Sequence, residues 1–378
     1  MRSPQLNDTP IAWTELNFGE TEGGDSGPHG LLSLDQVNRA KRYLEYNKDG
    51  HSAHQELLKR VASQAALELG EWMKWVNAEA AADEADFLLF FNDSNDFNAC
   101  VKPRVVNSFY NEYAIIINLG CLPLLISAAN RLVNLSHFSP GWIVDIGNFD
   151  RNERGWDPRR DPMGNLTFAA DDLFVTRTIR TTVDAIILMV LHEVTHGCKG
   201  HLMLKASVRK SPPIRRALES EADWGSGYLF VHGTTEQIYG TPGVVDTSFL
   251  SRIVIASLCN FIGFQANLIQ ERTTLSPYYL PYTRLQCALE GVRQAWLDNT
   301  ERRVDINVAL PEIWTKFMFL ENDFPEVYTG WIEQHDDRSK ADMELHIAQS
   351  DVLLAVLHTD LSPRSFAPLK GIVRRHYP

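Results

Sequence analysis

The residues with the clearest chemical meaning are His192, Glu193 and His196, which form the motif H-E-x-x-H. On a helix, residues four positions apart lie on one face about one turn apart, so both imidazoles can bind one metal ion. Glu193 is rotated by roughly 100° from His192, which places it beside the metal, where it can take a proton from a metal-bound water. Imidazole nitrogen suits Zn²⁺, and a catalytic zinc site has three protein ligands and an open position.

The sequence around this motif indicates a buried helix. The motif follows an unbroken apolar run, AIILMVL, at 185–191. Burying two imidazoles and a carboxylate without partners would cost free energy, and a bound metal ion offsets that cost. A helix with two hydrogen-bonded histidines and a surface glutamate is the alternative, and this context favours the metal site over it.

A third ligand is expected from the acidic segment Glu219-Ser-Glu221-Ala-Asp223, on a helix predicted at about 213–231. Glu219 and Asp223 are four residues apart and share a face of that helix. Glu219 can therefore bind the metal, while Asp223 can hold a ligand histidine through its other ring nitrogen. Glu221 points roughly 200° away from Glu219 and is the reserve candidate for the third ligand. A solvated acidic helix face would give a similar pattern.

Together the two segments resemble the gluzincin class of zinc peptidases. The stretches 192–201, HEVTHGCKGH, and 219–223, ESEAD, are similar to the intracellular HtpX, ImmA/IrrE and phage-exclusion Lit-type peptidases. The resemblance covers roughly residues 87–231. It implies a peptidase with these roles: metal ligands His192, His196 and Glu219, catalytic base Glu193, and Asp223 behind the ligands.

A third piece of the resemblance lies upstream of the motif. Phe97-Asn98-Ala99, followed by Tyr113-Ala-Ile-Ile-Ile-Asn-Leu-Gly120, is similar to the edge strand and the strand-glycine-helix unit of those peptidases. The resemblance implies that Asn98 and Ala99 lie on an edge strand along the cleft. Such a strand would pair with an extended peptide substrate by strand addition.

The chain also departs from the pattern of these peptidases. Thr195 fills a motif position that is often glycine, and Leu280-Pro-Tyr-Thr-Arg284 has no histidine where a His-Pro often precedes an arginine. The residue that stabilises the oxyanion therefore stays open. The foremost candidates for an oxyanion or substrate contact are His201, Tyr282 and Arg284, followed by His232, Tyr228 and Tyr279.

The hydrophobic pattern predicts a mixed α+β fold that is mostly helical. By resemblance, a zincin-like core would combine a small mixed sheet with an active-site helix and a glutamate helix. We expect a flexible N-terminal arm at 1–35, a catalytic domain at 36–245 with an insertion at 138–178, and a helical C-terminal region at 246–378 packed on it. The predicted strands are 87–91, 98–106 and 113–118, and the main predicted helices are 52–82, 180–199 and 213–231.

Charge and cysteine usage exclude several classes of protein. The 378 residues carry a formal net charge of −12, which argues against nucleic acid as the main partner because phosphate binding needs a basic surface. The five cysteines are widely spaced and include no C-x-x-C pair, so neither a disulfide framework nor a thiolate zinc site is expected.

The apolar segment 248–269 requires a test against a membrane span. It contains Arg252, Asn260, Gln265 and Asn267, which are all costly in a bilayer. A buried core helix fits it better, and no secretory signal is evident at the N-terminus. The expected location is the cytoplasm.

The sequence therefore predicts a zinc metalloendopeptidase that cleaves an intracellular protein or peptide substrate through a zinc-bound water activated by Glu193. The alternative is a non-catalytic zinc protein, a regulator or sensor that uses the same helices as a structural clip. A closed site with His201 or His232 as fourth ligand would favour the clip, whereas an open position beside an edge strand would favour the enzyme. A self-inhibited enzyme, with the arm or the insertion covering the cleft, is a further possibility.

Overall fold

A computed structural model describes residues 11–13, 52–80, 85–92, 97–106, 111–137, 172–204, 206–209, 211–234, 247–268, 279, 281–299, 305–309 and 344. In chain order, the strands are β1 (Ile11–Trp13), β2 (Ala85–Asn92), β3 (Ala99–Val106) and β4 (Asn111–Asn118). The helices are α1 (Ser52–Ala80), α2 (Cys121–His137), α3 (Asp172–Cys198), α4 (Ala206–Arg209), α5 (Pro212–His232), α6 (Thr247–Leu268) and α7 (Pro281–Asn299). A 3₁₀ turn at His201–Met203 follows α3.

The described elements confirm a mostly helical α+β chain with a small mixed sheet. The active-site helix is longer than predicted, because α3 begins at Asp172 and not near residue 180. Apolar residues at helical spacing, Val175, Ile179 and Val183, continue the core-facing stripe into this first part. The last part of the segment 138–178 is thus helical, and residues 138–171 lie outside the described residues.

The predicted N-terminal arm and C-terminal region are described only in part. Ile11–Trp13 forms β1, and the rest of 1–35 lies outside the described residues. In the C-terminal region α6 and α7 are helical, whereas most residues beyond 309 are not described. Within the described residues, no helix combines the length and the apolar character that crossing a membrane requires.

The sheet has the strand order β1-β2-β4-β3 and ends at β3. The pairs β1–β2 and β2–β4 are parallel, while β3 runs antiparallel to β4. The register of the β3–β4 pair shifts between Pro103 and Val105, as expected of a strand whose proline cannot donate to the ladder. β3 is thus an edge of the described sheet, the position that Pro103 predicts.

The pleat of the sheet separates two sets of apolar side chains. One face packs into the main core through alternating residues, Phe87, Leu89 and Phe91 of β2 and Tyr113, Ile115 and Ile117 of β4. The opposite face forms a smaller cluster of Phe90, Ala114 and Ile116. Because both faces are apolar, β2 and β4 read as continuous hydrophobic runs instead of alternating ones.

α3 occupies the centre of the described structure. It contacts α1, α2, α5 and α6 and also β3 and β4. Every residue from Ala185 to Val194 is buried, which explains why the sequence before the metal motif is apolar all round and not amphipathic. A polar group on this helix therefore needs a partner from a neighbouring element.

α5 and α7 cross closely enough to require glycine on both helices. A Cβ atom added at Gly227 would lie 2.0 Å from the Ala288 carbonyl oxygen, and one at Gly291 would lie 1.9 Å from the Trp224 carbonyl oxygen. Backbone therefore packs against backbone at this crossing, and the two helices have a fixed separation. This contact holds the first turns of α7 against the acidic residues of α5.

We predict that Gly291→Ala destabilises the fold. Helix propensity alone would make this change stabilising by about 1 kcal/mol, but the added methyl would force α5 and α7 apart and overpacking costs about 1–3 kcal/mol. Urea unfolding of the purified variant and the wild-type chain would measure the difference. An increase in unfolding free energy would contradict the close crossing.

Candidate metal centre

Three side chains from two helices converge on one point. α3 supplies His192 and His196, one turn apart, and α5 supplies Glu219. His192 Nε2 lies 3.2 Å from His196 Nε2 and 3.4 Å from Glu219 Oε2. One donor atom from each residue lies within 4.8 Å of the others, so the group could hold a metal ion. Two imidazole nitrogens and a carboxylate oxygen are a donor set that suits Zn²⁺.

The other ring nitrogen of His192 is held by a buried ion pair. His192 Nδ1 lies 3.0 Å from Asp223 Oδ1. Arg284, from the first turn of α7, donates to the same carboxylate through Nε at 2.7 Å and Nη2 at 2.9 Å. Burial would raise the pKa of Asp223, but Arg284 and His192 outweigh it and hold that pKa below its usual value. Asp223 therefore stays ionised and fixes the His192 ring with Nε2 towards the metal position.

A second hydrogen-bonded chain lies behind His196. His196 Nδ1 is 2.8 Å from His201 Nδ1, and His201 Nε2 is 3.0 Å from Glu221 Oε2. If His196 binds the metal through Nε2, its Nδ1–H donates to His201, whose Nε2–H then donates to Glu221. Glu221 also receives Lys199, whose Nζ lies 3.5 Å from Oε1. The reserve ligand Glu221 thus lies behind the metal position, two residues from the glutamate that faces it.

The turn after α3 brings His201 back to this position. α3 ends at Cys198, and Gly200 has φ 71°, in the left-handed region that favours glycine. The Gly200 N–H donates to the Gly197 carbonyl at 3.0 Å, which closes the turn. His201 therefore returns beside the last turn of α3 and is 1% exposed.

Glu193 lies beside the ligands, between α3 and the edge strand. Its carboxylate accepts a hydrogen bond from the backbone N–H of Val101 in β3. Burial raises the pKa of Glu193 to about 7, and Glu219 adds to the rise, whereas His192 and Arg284 oppose it. This carboxyl can therefore gain or lose a proton near neutral pH.

The electrostatics of the cluster favour a cation among the ligands. Burial would lower the pKa of His192, but hydrogen bonds to Asp223 and Glu219 outweigh it and raise that pKa to about 10. Burial lowers the pKa of His196 well below its ordinary value. Burial would raise the pKa of Glu219, and the hydrogen bond from His192 outweighs it, so that pKa is lowered. The metal-free cluster therefore holds one positive charge between carboxylates, where a metal ion would replace a proton.

The edge strand reaches the same site. The Asn118 N–H donates to the Asn98 carbonyl oxygen at 3.0 Å, so the backbone groups of Asn98 face β4. Because backbone groups alternate along an antiparallel strand, those of Ala99 and Val101 face the free edge. This alternation agrees with the hydrogen bond from Val101 to Glu193. Ala99 lines the cleft beside Glu193, whereas the Asn98 side chain is exposed.

The remaining predicted contacts take different places. Arg284 is 2% exposed and binds Asp223, with its Nη2 atom 3.7 Å from Glu219 Oε2. Tyr282 belongs to the first turn of α7. Tyr228 stacks against His232 with ring centroids 6.1 Å apart. Among the described candidates, Arg284 and His201 are thus the two joined to the metal cluster by hydrogen bonds or ion pairs.

The departure at Thr195 has a structural explanation. Thr195 is fully buried, and its hydroxyl donates to the Leu191 carbonyl oxygen one turn earlier at 2.8 Å. A Cβ atom added at Gly225 of α5 would lie 2.3 Å from the Thr195 methyl carbon. The small residue that lets α3 and α5 approach is therefore on α5 and not in the motif. Sequence reasoning from the motif alone missed this exchange.

The cleft also contains residues of α6 that the motifs did not reveal. It has about 370 Å³ of non-atom space. Its lining residues are Ala99, Leu188, Met189, His192, Glu193, Asp223, Ser226, Ser257, Asn260, Phe261 and Ala288. In the sequence, the polar positions of α6 argue only against a membrane span. Their spacing gives no indication that two of them reach a site built from α3 and α5.

Comparison with known proteins gives no match for this chain among family models, curated proteins or solved structures. The chemical argument therefore depends on the arrangement of side chains described above.

We predict that His201→Phe weakens metal binding. The aromatic ring keeps the shape of His201 but removes both hydrogen bonds that orient His196, and loss of such a partner costs about 10–100-fold in metal affinity. Competition with a chromogenic zinc chelator would measure the affinity. Thr195→Val is a matched control, since it removes a buried hydroxyl beside His196 that binds only its own helix. Equal zinc affinity of His201→Phe and the wild-type chain would refute the orienting role.

Proposed function

We propose that this protein is a zinc-dependent peptidase that hydrolyses a peptide bond of a protein substrate, with Glu193 as the catalytic base. The observation that carries the proposal is the position of Glu193. It lies next to a cluster of two histidines and a glutamate and contacts the free edge of a sheet through Val101. The gluzincin resemblance of the motifs supports the same function and a zincin-like core.

The donor set supports zinc as the metal. His192, His196 and Glu219 would bind it, and Asp223 and His201 would hold the two ligand histidines through their outer ring nitrogens. When bound, Zn²⁺ would polarise a substrate carbonyl and make a nearby water acidic enough to attack it. The three protein ligands leave room for such a position, as catalytic zinc sites require.

The chain's own residues would carry the proton. One carboxylate oxygen of Glu193 would take a proton from the attacking water, while the N–H of Val101 holds the carboxylate in place. Glu193 would then pass that proton to the nitrogen of the leaving amine as the peptide bond breaks. Arg284 would act from behind by keeping Asp223 ionised and His192 oriented.

The edge strand would bind the substrate. The outward N–H and C=O groups of Ala99 could pair with an extended peptide, which adds a strand to the sheet beside β3. The peptide would then pass directly beside Glu193. This placement supports a substrate whose cleavage site is extended, in an unfolded segment or an exposed loop.

The geometry argues against the non-catalytic zinc clip. A clip would need His201 or His232 as fourth ligand. His201 instead binds His196 Nδ1 and Glu221, and His232 lies against Tyr228 and Trp75, with ring centroids 6.1 and 6.0 Å away. Within the described residues, the metal cluster contains three ligands.

We predict that Glu193→Gln keeps zinc and loses hydrolysis. Glutamine has nearly the same shape but cannot accept the proton, so cleavage should fall by at least about 100-fold. The measurement combines zinc content by mass spectrometry of the metal with a proteome-wide search for peptides cleaved by wild type and not by the variant. Full activity of Glu193→Gln would rule out this mechanism.

His196→Ala tests the metal separately. Loss of one ligand should remove both zinc and hydrolysis, whereas Glu193→Gln should remove hydrolysis alone. Thr195→Val is again the control, with zinc and hydrolysis both retained. If His196→Ala cleaved the same substrates without zinc, the metal would have no part in the reaction.

A further inference from the structure

Two polar side chains of α6 line the cleft without a complete set of hydrogen-bond partners. Ser257 is 2% exposed and Asn260 is 5% exposed. The Ser257 hydroxyl and the Asn260 Oδ1 atom have no hydrogen-bond partner in the protein. Both residues line the cleft that contains His192 and Glu193. Buried polar atoms of this kind are costly unless a ligand or water satisfies them.

The orientation of the Asn260 amide is determined by its neighbour. Its Nδ2 atom donates to the Ala185 carbonyl oxygen of α3 at 2.9 Å. A carbonyl oxygen can only accept, so the amide cannot be flipped, and Oδ1 is left as an acceptor. A ligand in the cleft must therefore offer an N–H or O–H group to Asn260. Ser257 can donate or accept.

The rest of the lining selects against charge and bulk. Apolar side chains form much of it, including Leu188, Met189 and Phe261. The ionisable groups that line it are His192 and the carboxyls of Glu193 and Asp223. An anionic side chain would meet those carboxyls and could give no proton to Asn260. A purely apolar side chain would leave both polar atoms unsatisfied.

We propose that this cleft is a specificity pocket for a neutral carboxamide side chain, asparagine or glutamine, next to the scissile bond. This inference depends on the proposed peptidase function. A carboxamide satisfies both groups at once, because its N–H₂ donates to Asn260 Oδ1 and its oxygen accepts from the Ser257 hydroxyl. A peptide on the edge of β3 passes Ala99, which lines the same pocket, so one of its side chains would enter it.

Binding of peptide hydroxamates would test the pocket without depending on turnover. Four probes with the same backbone would carry a carboxamide, hydroxymethyl, isobutyl or carboxylate side chain next to the metal-binding hydroxamate. Calorimetry with the zinc-loaded full chain should rank the carboxamide first. We expect it to bind at least about 10-fold more tightly than the isobutyl and carboxylate probes, since each of those leaves buried polar groups unpaired.

Variants of α6 separate the pocket from a general effect. Ser257→Ala should reduce the preference for the carboxamide about 10-fold, and Ser257→Thr, which keeps the hydroxyl, should restore it. Ser251→Ala is the matched control: its hydroxyl is equally buried and unpartnered on the same helix but does not line the cleft. The preference should be unchanged in that control.

The outcomes distinguish the two proposals. Equal affinity for all four probes, or a preference that Ser257→Ala does not change, would overturn the pocket and leave the peptidase standing. Failure of every probe to bind the zinc-loaded chain would overturn both. A carboxamide preference that depends on Ser257 would support the pocket.

Discussion

The buried hydrogen-bond chain from Arg284 through Asp223 to His192 is the interaction on which the rest of the site depends. It joins α7, α5 and α3 at one point in the interior. Removing one partner of such a pair leaves a buried charge uncompensated, which costs about 3–5 kcal/mol. The same contacts that hold these three helices together also set the orientation of a metal-ligand histidine. Stability and the geometry of the site therefore cannot be varied independently here.

The position of α3 explains why the polar groups are arranged in chains. α3 is buried on all sides, so each ligand histidine needs a partner for both ring nitrogens. Asp223 serves His192, and His201 with Glu221 serves His196. Close helix packing makes these reaches possible, since glycines on α5 and α7 remove the side chains that would hold the helices apart. A looser bundle would leave the imidazoles free to rotate.

Catalysis and substrate choice would then come from elements outside the two motif helices. β3 places a free strand edge beside Glu193, and α6 places Ser257 and Asn260 in the same cleft. The base contacts the strand that would bind the peptide, so substrate alignment and proton transfer would use one set of backbone positions. The acidic surface of the chain, with net charge −12, would favour approach of basic proteins.

The sequence alone determined the local part of this picture. The spacing of His192 and His196 requires a shared helix face, and Glu219 with Asp223 repeats that relation on the next helix, because helical geometry is a property of neighbouring residues. Most element positions and the edge character of β3 followed in the same way. The partners of Arg284, His201 and Ser257 were decided only by tertiary structure. Residues such as Arg284 and Asp223 are 61 positions apart, and only packing of the helices brings them within hydrogen-bond distance.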